Sequence, residues 1–185
     1  MSFVLTKLSS TIKKDQVTRF NIHRPTIWEC TLRKLKREDF DPNNELLIKF
    51  SDDFGSTEVG IDQGGPKREY LSLILEYIMN SKLFEGPDNS KTLSWLKSAN
   101  DKDEYFYAGL MIAVCLVHGG PAPHCFAPCL VEALEKGPMH TKVFLKDMPD
   151  PELKTQLEKV IAFYRPRFYW EGGKRSKATL ANVFP

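Results

Sequence analysis

The sequence predicts an α+β domain, mostly helical, with a few short strands. Three observations carry that prediction. Apolar residues recur at helical spacing in three separate stretches: Trp28, Leu32 and Leu35; Leu71, Ile74, Leu75 and Ile78; Leu153, Leu157, Val160 and Ile161,. Alternation, the mark of a half-buried strand, is confined to two short pieces, Phe20 and Ile22 in one and Leu46, Ile48 and Phe50 in the other,. Between the second piece and the helix of Leu71 lies a glycine-rich junction, Gly60-Ile61-Asp62-Gln63-Gly64-Gly65-Pro66-Lys67-Arg68-Glu69-Tyr70, around which the chain is organised.

The balance of 42% hydrophobic and 27% charged residues is that of a soluble globular protein, and 185 residues suffice for one domain with a real core,. A net charge of +2 is too small to draw the whole molecule to nucleic acid,. The longest apolar run, Tyr105 to Val117, is too short to span a bilayer, and residues 1–10 lack the pattern of a signal peptide,. Cys30, Cys115, Cys125 and Cys129 sit in apolar or helical stretches, which suits reduced thiols in the cytoplasm or nucleus better than a disulfide framework,.

Taken in order, residues 1–18 read as a poorly ordered or loosely docked lead-in with a small basic cluster, Lys13 and Lys14,. A domain then runs from 19 to 163. Its first strand covers Thr18 to His23, and Arg24-Pro25 opens a helix to about Arg37. Arg33, Lys34, Lys36 and Arg37 crowd that helix's end, where the dipole favours cations; no stacking aromatics are interleaved, so a solvated surface is the reading, not a nucleic-acid patch,. Asp41-Pro42-Asn43-Asn44 is a turn, and Glu45 to Phe50 a strand,. Pro66, suited to a first helical position, starts a helix to about Asn80,. Leu83 and Phe84 make a small apolar anchor, and Thr92 to Leu96 is an apolar segment whose periodicity does not decide between strand and helix,.

Asn100 or Asp101 is expected to cap the next helix, with Asp103 and Glu104 in its first turn,. Tyr105 to Val117 is apolar nearly all round and reads as the central buried helix, with Gly109 marking a close approach of another element,. His118-Gly119-Gly120-Pro121 ends it,. A helix from about Ala127 to Lys136 turns Leu130, Ala133 and Leu134 inward. Asp150-Pro151-Glu152 combines cap, N1 proline and first-turn acid at the start of the last helix,. Residues 164–185 form a basic, aromatic tail or linker with five basic residues and one acidic.

At the junction, Gly64 and Gly65 permit backbone angles that side chains resist, while Asp62, Arg68 and Glu69 bring charge that must pair if it is buried,. They are candidates for a fixed internal network. A phosphate cradle is the competing reading. Neither G-x-G-x-x-G nor G-x-x-x-x-G-K-[ST] is present, and Asp62 and Glu69 would repel an anion,. His118, His124, Cys125 and Cys129 invite a metal check, but no tight C-x-x-C pair exists,. Cys125 and Cys129, near a helix start with His124 adjacent, are the best local nucleophile candidates; Cys115 looks inert,. No G-x-S-x-G elbow occurs, and no pair of carboxylates has a spacing that marks a site,. From the residues alone, no complete active site emerges.

The junction resembles the G-x-D-x-G-G-x-x-R-E-[FY] signature of HECT-type ubiquitin ligases, and it follows a strand similar to theirs, Leu46 to Phe50. A second block also matches, Tyr107-Ala108-Gly109-Leu110-Met111-Ile112-Ala113-Val114 followed by His118-Gly119-Gly120-Pro121-Ala122-Pro123-His124-Cys125-Phe126. Arg24 and Phe40 lie where the family's opening region is similar, and Leu145-Lys146-Asp147 with Asp150-Pro151-Glu152-Leu153 looks like its L-x-D … D-x-E-L segment. The resemblance runs in order from about Phe20 to Phe163.

This resemblance implies an N-lobe scaffold. The family's C-lobe cysteine takes ubiquitin from a conjugating enzyme as a thioester and passes it to a substrate lysine, without metal or organic cofactor. The C-lobe and its Thr-Cys-Phe-like segment are expected to lie outside this chain, which would be inactive alone. No role as nucleophile transfers to any of the four cysteines. Gly60, Asp62, Gly64, Gly65, Arg68 and Glu69 become architectural, bracing a strand–helix joint. Ubiquitin and its conjugating enzyme are the partners implied, with no nucleic acid and no membrane. The rival reading is a non-catalytic HECT-like module that binds protein partners, and a nucleic-acid-binding basic tail is the third.

Overall fold

Two parallel strands and the helices packed on one of their faces build the centre of the structure, a computed structural model that describes residues 3–51, 64–164, 170–171 and 174–175, the last five of these by backbone alone. The described chain is α+β and mostly helical. It divides into two compact units, Met1–Phe126 and Ala127–Pro185.

In the first unit, a short helix α1 (Phe3–Ser9) precedes strand β1 (Lys13–His23). A 3-10 turn (Arg24–Thr26) and helix α2 (Ile27–Leu35) carry the chain over to strand β2 (Asn44–Ser51). β1 and β2 pair in parallel, with Phe20 opposite Ile48 and Ile22 opposite Phe50. Parallel pairing requires such a crossover. The period of two puts Thr18, Phe20 and Ile22 on the same face as Leu46, Ile48 and Phe50, and all six are buried,. Strand β1 begins at Lys13, five residues before the alternation does. The extra residues are all exposed, four of them polar and the fifth Val17, and the register shifts between Lys13 and Val17. Lys13 pairs with Asn44 and Val17 with Glu45, while residues 14–16 have no partner in β2.

Helix α3 (Gly65–Asn80) lays Tyr70, Leu71, Ile74, Leu75, Ile78 and Met79 into the core, and α2 adds Ile27, Trp28, Thr31 and Leu35. Burying a large side chain of this kind contributes about 1.5–3 kcal/mol relative to leaving it in water. The basic end of α2 is surface: Lys34 and Arg37 both reach Asp39, and the Arg37 hydrogen bond holds that carboxyl below its usual range. A two-residue ladder, β3 (Phe84–Glu85) with β4 (Thr92–Leu93), and the short helix α4 (Lys97–Asn100) lead to α5 (Glu104–Val117). Leu83 is buried and Phe84 stacks on Phe126, 5.6 Å between ring centroids, so the apolar anchor is real.

Helix α5 departs from expectation in three ways. Its N-cap is Asp103, at φ 56° and without a side-chain capping bond, in place of Asn100 or Asp101. It is not buried all round: Ala108, Met111, Val114 and Cys115 face the core, while Phe106 is 66% exposed. Gly109 lies on the open side, with nothing among the described residues within 4 Å of where a Cβ would stand, so no described element makes the close approach expected there.

In the second unit, α6 (Pro128–Lys136) buries Leu130 but leaves Leu134 69% exposed, against the expected inward stripe. Helix α7 (Pro151–Tyr164) starts as its sequence dictates: Asp150 Oδ1 accepts from the amides of Glu152 at 2.8 Å and Leu153 at 3.1 Å,. Its apolar stripe is open too, with Leu153, Val160 and Ile161 each exposed. Beyond it the backbone pairs β5 (Trp170–Glu171) with β6 (Lys174–Arg175). The rest of the basic tail lies outside the described residues. Among the described residues no helix is long and apolar enough to cross a membrane.

Candidate functional site

The glycine junction enters α3 through Gly64, whose φ of +85° is the left-handed conformation that glycine adopts at low cost,. Gly65 and Pro66 open the helix, and the amide of Arg68 closes its first turn on the Gly64 carbonyl at 3.2 Å. Gly60 and Asp62 lie outside the described residues. Arg68 and Glu69 are exposed, so these two charges do not form the internal network expected from the sequence. Glu69 instead meets Arg24 of the 3-10 turn, Nε to Oε1 at 2.8 Å, and the Arg24 guanidinium lies 4.0 Å over the centroid of the Phe50 ring. One arginine thus ties together the end of β1, the end of β2 and the start of α3. An exposed ion pair contributes about 0.2–1 kcal/mol and an exposed cation–π contact about 0.5–1 kcal/mol. This is a brace of modest strength. Nothing in the sequence pairs residues 24 and 69, which lie 45 positions apart.

Behind the brace, Tyr70 is fully buried and its ring centroid is 5.4 Å from that of Phe20. Its hydroxyl donates to Thr31 Oγ1 at 3.0 Å, because Thr31 spends its own proton on the Ile27 carbonyl at 2.8 Å. Met111 Sδ lies 3.7 Å from the same hydroxyl. Burial pushes the Tyr70 pKa well above its ordinary value, so the group stays neutral and serves as a satisfied core polar group,.

The second sequence block packs against this core. Cys115 is buried, its thiol pushed up to about 12 by burial and facing the Leu71 carbonyl at 3.7 Å. No thiolate forms there near neutral pH. The helix ends tightly: Gly119 has φ +82°, and the Gly120 amide bonds the Cys115 carbonyl at 2.7 Å. A Cβ on Gly120 would stand 2.9 Å from that carbonyl oxygen and 3.0 Å from Leu71 Cβ. His118, 7% exposed, makes a 2.9 Å hydrogen bond from Nε2 to the Pro42 carbonyl. Burial lowers its pKa; the bond to Pro42 opposes that, Lys67 reinforces it and Glu45 opposes it. Further on, the Lys91 amide bonds the Cys125 carbonyl at 2.6 Å, fixing the proline-rich turn to the segment before β4.

The nucleophile and metal candidates find no support in this geometry. Cys30, Cys125 and Cys129 are half-buried, and His124 is exposed. His118 spends one ring nitrogen on a backbone carbonyl. Among the described residues no three His, Cys, Asp or Glu side chains gather as a metal-holding group. Among the described residues, the polar contacts of this region join helix ends, strand ends and turns.

In sequence, this α+β scaffold is related to E3 ubiquitin-protein ligases. It is 36% identical over 153 residues, 81% of its length, to the G2/M phase-specific E3 ubiquitin-protein ligase of Homo sapiens and to that of Macaca fascicularis. The Gallus gallus protein of the same name is 36% identical over 160 residues, 86% of the chain. The chain spans about a fifth of the length of these curated relatives, 21% in each case. No protein-family model matches it.

Proposed function

We propose that this chain is the N-lobe part of a HECT-type ubiquitin-protein ligase. The whole protein would move ubiquitin from a conjugating enzyme, through a cysteine thioester, to a substrate lysine. The observation that carries the reading is the 36% identity across four fifths of the chain to proteins named as E3 ubiquitin-protein ligases. The HECT assignment adds the ordered motif blocks, Gly60 to Tyr70 and Tyr107 to Phe126. In this reading Gly60, Asp62, Gly64, Gly65, Arg68 and Glu69 brace the lobe and touch no substrate. The Arg24–Glu69 pair is the brace's described part. Ubiquitin and its conjugating enzyme are the proposed partners, and the four free cysteines suit the cytoplasm or nucleus,.

The test has two arms. Incubated with activating enzyme, conjugating enzyme and ubiquitin, the chain alone forms no reducible ubiquitin adduct. Substituted for the matching segment of the human relative, it preserves that ligase's self-ubiquitination. A reducible adduct on this chain, or a folded but inactive chimaera, overturns the proposal. One observation favours a second reading, a non-catalytic HECT-like module for protein partners. Trp95 is 89% exposed, and its neighbours are fixed: the Tyr105 hydroxyl donates to the Ser94 carbonyl and accepts from the Leu96 amide. Rigid exposed tryptophans suit binding hot spots. The chimaera separates the two, because a module of that kind does not restore transfer.

A further inference from the structure

We propose that His118 is a proton-released latch that fastens the end of α5 to the loop before β2. The latch is a single hydrogen bond across 76 residues of sequence, from the ring to the Pro42 carbonyl. A carbonyl oxygen only accepts, so the ring's proton sits on Nε2 and Nδ1 is bare. That Nδ1 is buried without a protein partner. A second proton would place a positive charge there, inside the unit, with no acceptor in bonding reach.

The charged groups on the packed elements pull in both directions. Lys67 at the start of α3 disfavours a second positive charge, and Glu45 at the start of β2 favours one. In the loop itself, Asp41 is engaged by Lys13 at 2.8 Å and by the Asn43 amide at 2.9 Å, which leaves its carboxylate committed elsewhere. Asn44 Oδ1 is likewise buried and makes no bond to the ring. Burial outweighs these fields, so the folded protein takes the second proton less readily than the unfolded chain does. The sign follows by linkage. The unfolded histidine titrates near pH 6.5, about its ordinary value. The latch's stabilisation is fully present above that pH, and it is lost as pH falls through the lower folded-state value. The charged ring keeps its Nε2–H for Pro42, so acid does not remove the donor; it makes the buried seat costly, and the ring's departure to water frees the Asp41–Asn44 loop from α5, whatever the whole protein does with ubiquitin,.

The experiment is side-chain and backbone NMR of the intact chain from pH 8 to pH 5, with urea unfolding of the chain and of His118→Gln. Glutamine keeps an N–H donor near the Nε2 position and does not titrate. Expected are an Nε2–H ring at neutral pH, a midpoint below 6.5, and Asn43 and Asn44 amide shifts that follow that midpoint. The wild-type chain should also lose more of its unfolding free energy than His118→Gln over this range. An Nδ1–H ring, a midpoint at or above 6.5, or loop amides that stay still while the ring titrates would overturn the latch. So would equal pH slopes in the two proteins. If His118→Gln fails to fold, the wild-type spectra alone decide.

Discussion

A methyl group added at Gly120 and one added at Gly109 should move stability in opposite directions, although both glycines belong to the same sequence block. At Gly120 the new Cβ lies 2.9 Å from the Cys115 carbonyl oxygen, 3.0 Å from Leu71 Cβ and 3.2 Å from Leu71 Cδ1. The first atom is backbone, held by its bond to the Gly120 amide; the second roots a buried side chain on α3. Only Leu71 Cδ1 can rotate away. Overpacking of this kind costs about 1–3 kcal/mol. Alanine returns about 0.4–1 kcal/mol through the unfolded chain. Gly120→Ala should then lose roughly 1–2 kcal/mol, or about 2–8 °C of melting temperature at 2–4 °C per kcal/mol for a chain of this size. At Gly109, in the interior of α5 with open space around it, the steric cost vanishes. Gly109→Ala should gain up to about 1 kcal/mol from helix propensity, a rise of about 2–4 °C. Circular dichroism melts of the three proteins side by side give the answer, with urea midpoints as a check. A Gly120→Ala protein as stable as wild type refutes the close approach to Leu71. A destabilised Gly109→Ala protein refutes the open face of α5.

Tyr70 and Thr31 offer an ordering test. Tyr70→Phe removes a donor and should cost about 1 kcal/mol, whereas Thr31→Val leaves the buried Tyr70 hydroxyl only the weak acceptor Met111 Sδ and should cost more, about 1–3 kcal/mol,. The double variant should cost less than the sum of the two, because removing both partners leaves no orphan; equal or additive costs in urea titrations would refute the assigned direction of the bond. Cys115, buried and pushed up to about 12, should resist iodoacetamide at pH 8 in the folded chain and react fully in urea. Mass spectrometry that finds Cys115 labelled as fast in the native protein as in urea would contradict its placement.

Legibility from sequence divides along a physical line. Where one short segment decides the matter, the residues suffice. The alternation of Leu46, Ile48 and Phe50 gives a buried strand face, the spacing of Leu71, Ile74 and Ile78 a buried helix face, and Asp150-Pro151 a true cap. Where the outcome depends on what arrives from elsewhere, they do not. Residues 13–16 carry no alternation, and β2 reaches them only through the pair Lys13 and Asn44. An apolar circumference on α5 expresses a preference for burial, but Phe106 and Gly109 stay open because no described element covers that side. The same holds for Leu153, Val160 and Ile161 on α7.

The candidate site follows the same division, and that bears on what it does. Gly64 announces itself, since a positive φ at a helix entry calls for glycine,. Its functional neighbours do not: Arg24 is 45 residues from Glu69, Thr31 is 39 from Tyr70, and His118 is 76 from Pro42. Each of these pairings joins two segments far apart in sequence. Arg24 spends its charge on a carboxylate and an aromatic face, Tyr70 its proton on a hydroxyl, His118 its N–H on a carbonyl. These groups are turned toward one another, each across a joint between two elements. Such an arrangement sets the relative positions of the ends of β1 and β2 and of α2, α3 and α5.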